Sequence, residues 1–148
     1  MRLKNFFFAI LIVSVATAFV ACSNDDDDVM VQVRVNGTVL FDDGDDFNGD
    51  VDGDFTGNGG SATRTFVWLN NLTTADYNAD ITATSEGSFQ IIVRDSEANI
   101  VLDRTIQGGT EPDSIDGVTS SGASGLWTVT IEVTNFNGDG SFSLSEGD

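Results

Sequence analysis

Four side chains that carry oxygen ligands stand at alternate positions in the stretch NGDVDGDFTGNG: Asn48, Asp50, Asp52 and Asp54, with Gly53 inside the set. Spaced carboxylates with a glycine that permits a sharp turn are what a hard cation such as calcium requires. Asp42, Asp43, Asp45 and Asp46 precede them as further donors. The competing reading is an acidic loop without a ligand, because such spacing arises readily in a stretch this rich in Asp and Gly. Two other residues invite chemistry. Cys22 is the only thiol of the chain and is followed by Ser23, Asn24 and four aspartates, Asp25 to Asp28. Ser114 lies between Asp113 and Ile115 in a polar stretch.

Missing residue types narrow the chemistry further. The chain has no histidine, so Ser-His-Asp and Cys-His nucleophile systems and His-ligated zinc are excluded within it. A single cysteine forms no intrachain disulfide. Carboxylate chemistry of the glycosidase kind remains, but it needs a cleft, which a small domain of many short strands seldom provides. The chain is therefore expected not to be an enzyme. Trp68 and Trp127 stand among inward-patterned apolar residues and read as core, whereas Tyr77 sits in polar surroundings and is the better candidate for an exposed aromatic contact.

The N-terminus reads as an address. Arg2 and Lys4 precede an apolar run from Phe6 to Ala21 that is broken only by Ser14 and Thr17. This is the layout of a secretory signal peptide over residues 1–21. At about 16 residues the run is short of the roughly 20 that a membrane-spanning helix needs. "FVAC", Phe19 to Cys22, resembles a bacterial lipobox, with Phe19 in a place usually held by an aliphatic residue. "CSNDDDD" resembles the export signal of Bacteroidota surface lipoproteins. The resemblance implies a covalent lipid on Cys22 and an outer-membrane location facing the cell exterior. Residues 22–28 then form an acidic tether, with at most about 20 Å of reach from Ser23 to Asp28. Asp113-Ser114-Ile115 resembles the short O-glycosylation motif of exported Bacteroidota proteins, which implies a sugar on Ser114.

Charge excludes one class of partner. The formal net charge is −18, with 24 carboxylates; loss of residues 1–21 removes both Arg2 and Lys4 and leaves Arg34, Arg64, Arg94 and Arg104. Such a surface repels nucleic acid, so none is expected as a partner.

The elements that must position these residues are strands. Val29, Val31, Val33 and Val35 alternate with polar residues, the period of a half-buried strand. Asn36-Gly37 suits a type I′ turn, and Thr38 to Phe41 returns. Residues 42–61 sustain no period and are expected as an acidic Gly/Asp loop with at most a short strand at its end. Thr63 to Leu69, Ala79 to Ser85, Ser88 to Arg94 and Ile100 to Ile106 read as strands. Gln107 to Gly125 reads as a connection. Trp127, Val129, Ile131 and Val133 then mark the clearest alternation, with Asn135 to Gly140 as a turn and Ser141 to Leu144 as the last strand. About seven to eight short strands over residues 29–148 predict an all-β antiparallel β-sandwich, jelly-roll or Ig-like.

The distal half also resembles the pre-peptidase C-terminal type of β-sandwich module. Phe89, Ile91, Val93 and Asp95, then Gly125, Trp127, Val129 and Ile131, then Gly140, Phe142 and Leu144 carry that likeness, which implies fold and no catalytic residue. Residues 48–54 resemble the start of an EF-hand loop, but Gly59 occupies the place of its bidentate glutamate. The expected function is that of a non-catalytic outer-membrane surface lipoprotein, an accessory or interaction module of the envelope. The alternative is a calcium-assisted glycan-binding module of a polysaccharide capture system. An envelope protein or a glycan is accordingly the expected partner beyond the membrane itself.

Overall fold

The computed structural model describes residues 31–41, 43–83 and 85–148. The signal peptide, Cys22, the tether with Asp25 to Asp28, and Asp42 lie outside the described residues. Nine strands are present among those described: β1 (Val31–Val35), β2 (Thr38–Val39), β3 (Asp45–Asn48), β4 (Val51–Asn70), β5 (Ala75–Ala83), β6 (Ser88–Arg94), β7 (Ile100–Gln107), β8 (Ser114–Val118) and β9 (Gly125–Glu146). All pairings are antiparallel except that of β3 with β4.

β4 and β9 organise the molecule. They pair from Val51↔Leu144 to Asn70↔Gly125, with irregular register between Asn58 and Ala62. Before that corner, the ladder is flanked by β1 and β2 on one side and by β5 and β8 on the other. Beyond it, β3 flanks β4, while β6 and then β7 flank β9. One continuous sheet thus folds over at the corner into two facing layers. The layers meet through stacked rings: Phe55 lies on Phe89 at 4.6 Å between centroids, and Phe66 approaches Phe142 at 6.5 Å.

The β1–β2 hairpin forms where the sequence places it. Asn36 and Gly37 both take positive φ, 49° and 80°, as a type I′ turn requires. Arg64 then secures the crossing from β2 to β3 by donating from Nε to the Leu40 carbonyl at 2.8 Å.

Four expectations are corrected. Residues 42–61 are not a loop: β3 and the first half of β4 occupy most of them. The inward positions of that half are Val51, Gly53, Phe55 and Gly57, and the two glycines hide a regular alternation. Gly53 is directly opposite Phe142, and Phe55 is directly opposite Gly140. A Cβ on Gly53 would run into the Phe142 ring, and one on Gly140 into the Phe55 ring. Each ring fills the space its partner glycine leaves empty, so the face is buried with few apolar letters.

The connection at 107–125 contains an edge strand, β8, in which Ile115 packs on the core between exposed neighbours. Asn135 to Gly140 is no turn, because β9 runs through it, with Asn135 at φ 45° helping the strand change layers. Tyr77 is buried, not exposed: Ala75, Tyr77, Ala79 and Ile81 face inward along β5, while Asp76, Asn78 and Asp80 face out. Trp68 and Trp127 are fully buried as expected, meeting edge to face at 5.9 Å. Their indole N–H groups donate to the carbonyls of Gly49 (2.8 Å) and Ala123 (2.7 Å), which satisfies the one polar atom that burial would otherwise penalise.

Candidate functional site

The structure does not gather the four expected cation ligands. Asn48 ends β3, Asp50 lies between strands, and Asp52 and Asp54 follow on the outward side of β4. Alternate residues of an extended strand are about 6.6 Å apart; calcium requires six to eight oxygens at roughly 2.3–2.6 Å, supplied by a chain that wraps the ion. Other partners already engage the segment. Arg34 Nη1 sits 3.3 Å from Asp54 Oδ1, the Asp52 N–H donates to Asn36 Oδ1 at 2.8 Å, and Asn36 Nδ2 donates to the Asp50 carbonyl at 3.2 Å. Asp43 accepts the Thr65 N–H at 3.1 Å. Among the described residues, no three His, Cys, Asp or Glu side chains come together in a way that could hold a metal ion.

Ser114 begins edge strand β8 and is exposed. The Asp113 carbonyl before it accepts the Ile81 N–H at 2.9 Å. The residue thus sits exposed on a fixed backbone at a sheet edge.

Two regions that sequence reasoning missed stand at opposite ends of the sandwich. At the corner end an open groove of about 470 Å³ runs between Glu86, Ser88, Gln107, Thr110, Thr134 and Asn135. It continues past Thr110 into a recess of about 210 Å³ reaching Glu111 and Asp113 over a floor that includes Ile81. Carboxylates, amides and hydroxyls along a small apolar floor suit hydrogen bonding to a neutral polyol and repel anions. The Asn135 backbone is fixed by donation of its N–H to Ser61 Oγ at 2.8 Å. The groove draws on the approach to β6, the end of β7, the β7–β8 connection and β9; no local motif marks it.

At the far end, loops are locked by side chains. Asp95 is only 4 % exposed. Its Oδ1 accepts the N–H groups of Glu97 (3.0 Å) and Asn99 (2.8 Å), its Oδ2 accepts that of Ala123 (2.9 Å), and Asn99 Nδ2 reaches both oxygens. The Ala123 bond leads these in holding the carboxyl below its ordinary value, against desolvation, which acts the other way. Ser96 Oγ binds the Ser124 carbonyl at 2.8 Å, and Glu146 Oε1 accepts both the backbone and side-chain N–H of Asn71. Around these loops Leu72, Val118 and Leu126 are exposed.

No family model matches the chain, and no curated protein matches it in sequence. Among solved structures it is similar to the pre-peptidase C-terminal domain of a collagenase from Bacillus anthracis, with a TM-score of 0.39 and 14 % identity over 71 % of this chain and 95 % of that one. It is also similar to the N-terminal cellulose-binding domain of β-1,4-glucanase C from Cellulomonas fimi, with a TM-score of 0.38 and 14 % identity over 84 % of this chain and 93 % of that one. The assignment as an all-β sandwich rests on the strand pairing of the chain itself.

Proposed function

We propose that the protein is a lipid-anchored envelope protein whose sandwich is a non-catalytic accessory or interaction module. The observation that carries this reading is the junction between address and fold: β1 begins at Val31, nine residues after Cys22. Nine residues span at most about 30 Å, so a lipid on Cys22 holds the domain close to its membrane. Val31 is opposite Gly57 at the corner, so the tether joins the corner end. The end bearing Leu72, Val118 and Leu126 lies about 20 Å beyond the corner along the strands, away from the point where the tether joins. Its locked loops offer a preformed surface, which lowers the ordering cost of an association. Asp95 fits the same picture: its carboxyl is held below the ordinary carboxylate pKa, away from the direction that a general acid needs.

Replacement of Cys22 by alanine tests the reading in a Bacteroidota host. The wild-type chain is expected in the membrane fraction, open to protease on intact cells, and the Cys22→Ala chain in the soluble fraction. A variant that stays with the membrane, or a wild-type domain cut only after lysis, overturns it.

The corner groove favours a second reading, a module that binds a neutral glycan. Calcium at Asp50 and Asp52 would not serve this groove, because these residues lie at the other end of the first half of β4. Titration with neutral oligosaccharides tests it. Saturable binding that Gln107→Ala weakens supports the groove; binding unaffected by that change, or none, removes it.

A further inference from the structure

Asparagine followed by glycine occurs four times in the chain, at Asn36-Gly37, Asn48-Gly49, Asn58-Gly59 and Asn137-Gly138. In such a pair the glycine peptide nitrogen can attack the preceding side-chain amide, since no Cβ shields it. The attack needs a free amide and room for a five-membered ring, and the fold treats the four pairs differently. Asn36 is held on both side-chain atoms, by the Asp52 N–H and the Asp50 carbonyl. Gly138 is clamped between Gly57 of β4 and Ala83 of β5, and even a Cβ there would strike the Thr82 carbonyl. Asn48 is in register with Leu69, and the Gly49 carbonyl is fixed by the Trp68 indole.

Among the described residues, the Asn58 side chain has no hydrogen-bond partner, and Gly59, unlike Gly138, has no partner in the ladder. The pair lies at the corner, where the ladder steps from Asn58↔Asn137 to Gly60↔Phe136 and leaves Gly59 out of register. Both residues are exposed. Gly59 has φ +82° and open space where a Cβ would point, and Gly37 and Gly49 also combine positive φ with open space there. The missing ladder partner and the unbonded amide set this pair apart, together with a glycine carbonyl that, unlike that of Gly49, is not held by an indole among the described residues.

We infer that Asn58 is a site of spontaneous chemical modification, converted to aspartate and isoaspartate in the folded protein. The Gly59 nitrogen forms a bond to Cγ of Asn58, the Cγ–Nδ2 bond breaks, and ammonia leaves with the proton that the Gly59 nitrogen gives up. Water then opens the cyclic imide. Cleavage of its side-chain carbonyl bond leaves aspartate, and cleavage of its main-chain carbonyl bond leaves isoaspartate, whose backbone runs through Cγ. The isoaspartate adds one atom to β4 where the ladder is already irregular, close to the Ser61–Asn135 contact beside the groove.

Ageing of the full chain at mildly alkaline pH, with mass spectrometry of its peptides and enzymatic methylation of isoaspartate, tests the inference. Asn58 should convert about tenfold faster than Asn36 or Asn137, a barrier difference of about 1.4 kcal/mol, with Asn48 between them. In denaturant the four rates should converge. The inference is overturned if Asn36 or Asn137 converts as fast as Asn58 in the folded chain. It is equally overturned if the ranking is the same folded and unfolded, since local sequence would then set the rates.

Discussion

The two halves of the β4–β9 ladder fill the same core in different ways. Beyond the corner, each buried position has its own large side chain: Phe66 and Trp68 face Val129 and Trp127, and Ile131 and Val133 follow. Before the corner, a ring on one strand covers a glycine on the other, at Gly53–Phe142 and at Phe55–Gly140. The large side chains of both halves are buried. In the first case the strand carries the means of its own burial, and in the second it borrows them from a strand far away in the chain. The borrowed arrangement allows two strands to approach closely under large rings, but it tolerates no added atom at the glycine.

Four experiments would break or sharpen that contrast. The largest loss is expected for Trp127→Ala, about 3–5 kcal/mol in urea unfolding, because a buried ring is deleted and its cavity cannot close. Gly53→Ala adds a single carbon, yet should cost about 1–3 kcal/mol or more through overpacking against Phe142. Combined with Phe142→Leu, its cost should shrink, with a coupling of about 0.5–3 kcal/mol; additive costs would show that ring and glycine are independent.

Asp95→Asn should change how stability depends on pH. The folded carboxyl lies below its ordinary value of 3.8, so the unfolded chain binds more protons between the two values and stability rises with pH there. Its contribution is complete above the ordinary value and lost as pH falls through the lowered one. Acid titration of unfolding should therefore be shallower in the variant, and an unchanged slope would contradict the hydrogen-bond account. The smallest effect is expected for Asp50→Ala with Asp52→Ala, within about 0.5 kcal/mol, as for exposed positions generally. Calcium should act alike on this variant and the parent chain. A stabilisation by calcium that only the parent shows would restore the ion site.

How far the fold was legible depended on where each strand found its core atoms. Val31, Val33 and Val35, and Trp127 to Val133, announce themselves because their own side chains alternate. Tyr77 did not, since its apolar neighbours Ala75 and Ala79 are small and the aspartates between them dominate the stretch. Asp50, Asp52 and Asp54 suggested a ligand for a related reason: the alternation that spaces oxygens along a calcium loop equally spaces solvent-facing residues on a strand. The groove was illegible because its lining comes from separate segments.

By itself the sequence determined an all-β chain, ruled out histidine chemistry, and supplied the layout at Cys22 on which the proposed anchor rests. These follow from residue type and from a period of two, which are local properties. Only the tertiary structure decided that Val51, Gly53 and Phe55 face the core, that one sheet folds into two layers, and that, among the described residues, Asn58 lacks the partners that hold Asn36. The physical reason is that a glycine's burial and an amide's freedom depend on atoms brought from elsewhere in the chain: Phe142 lies 89 residues from Gly53, yet directly opposite it.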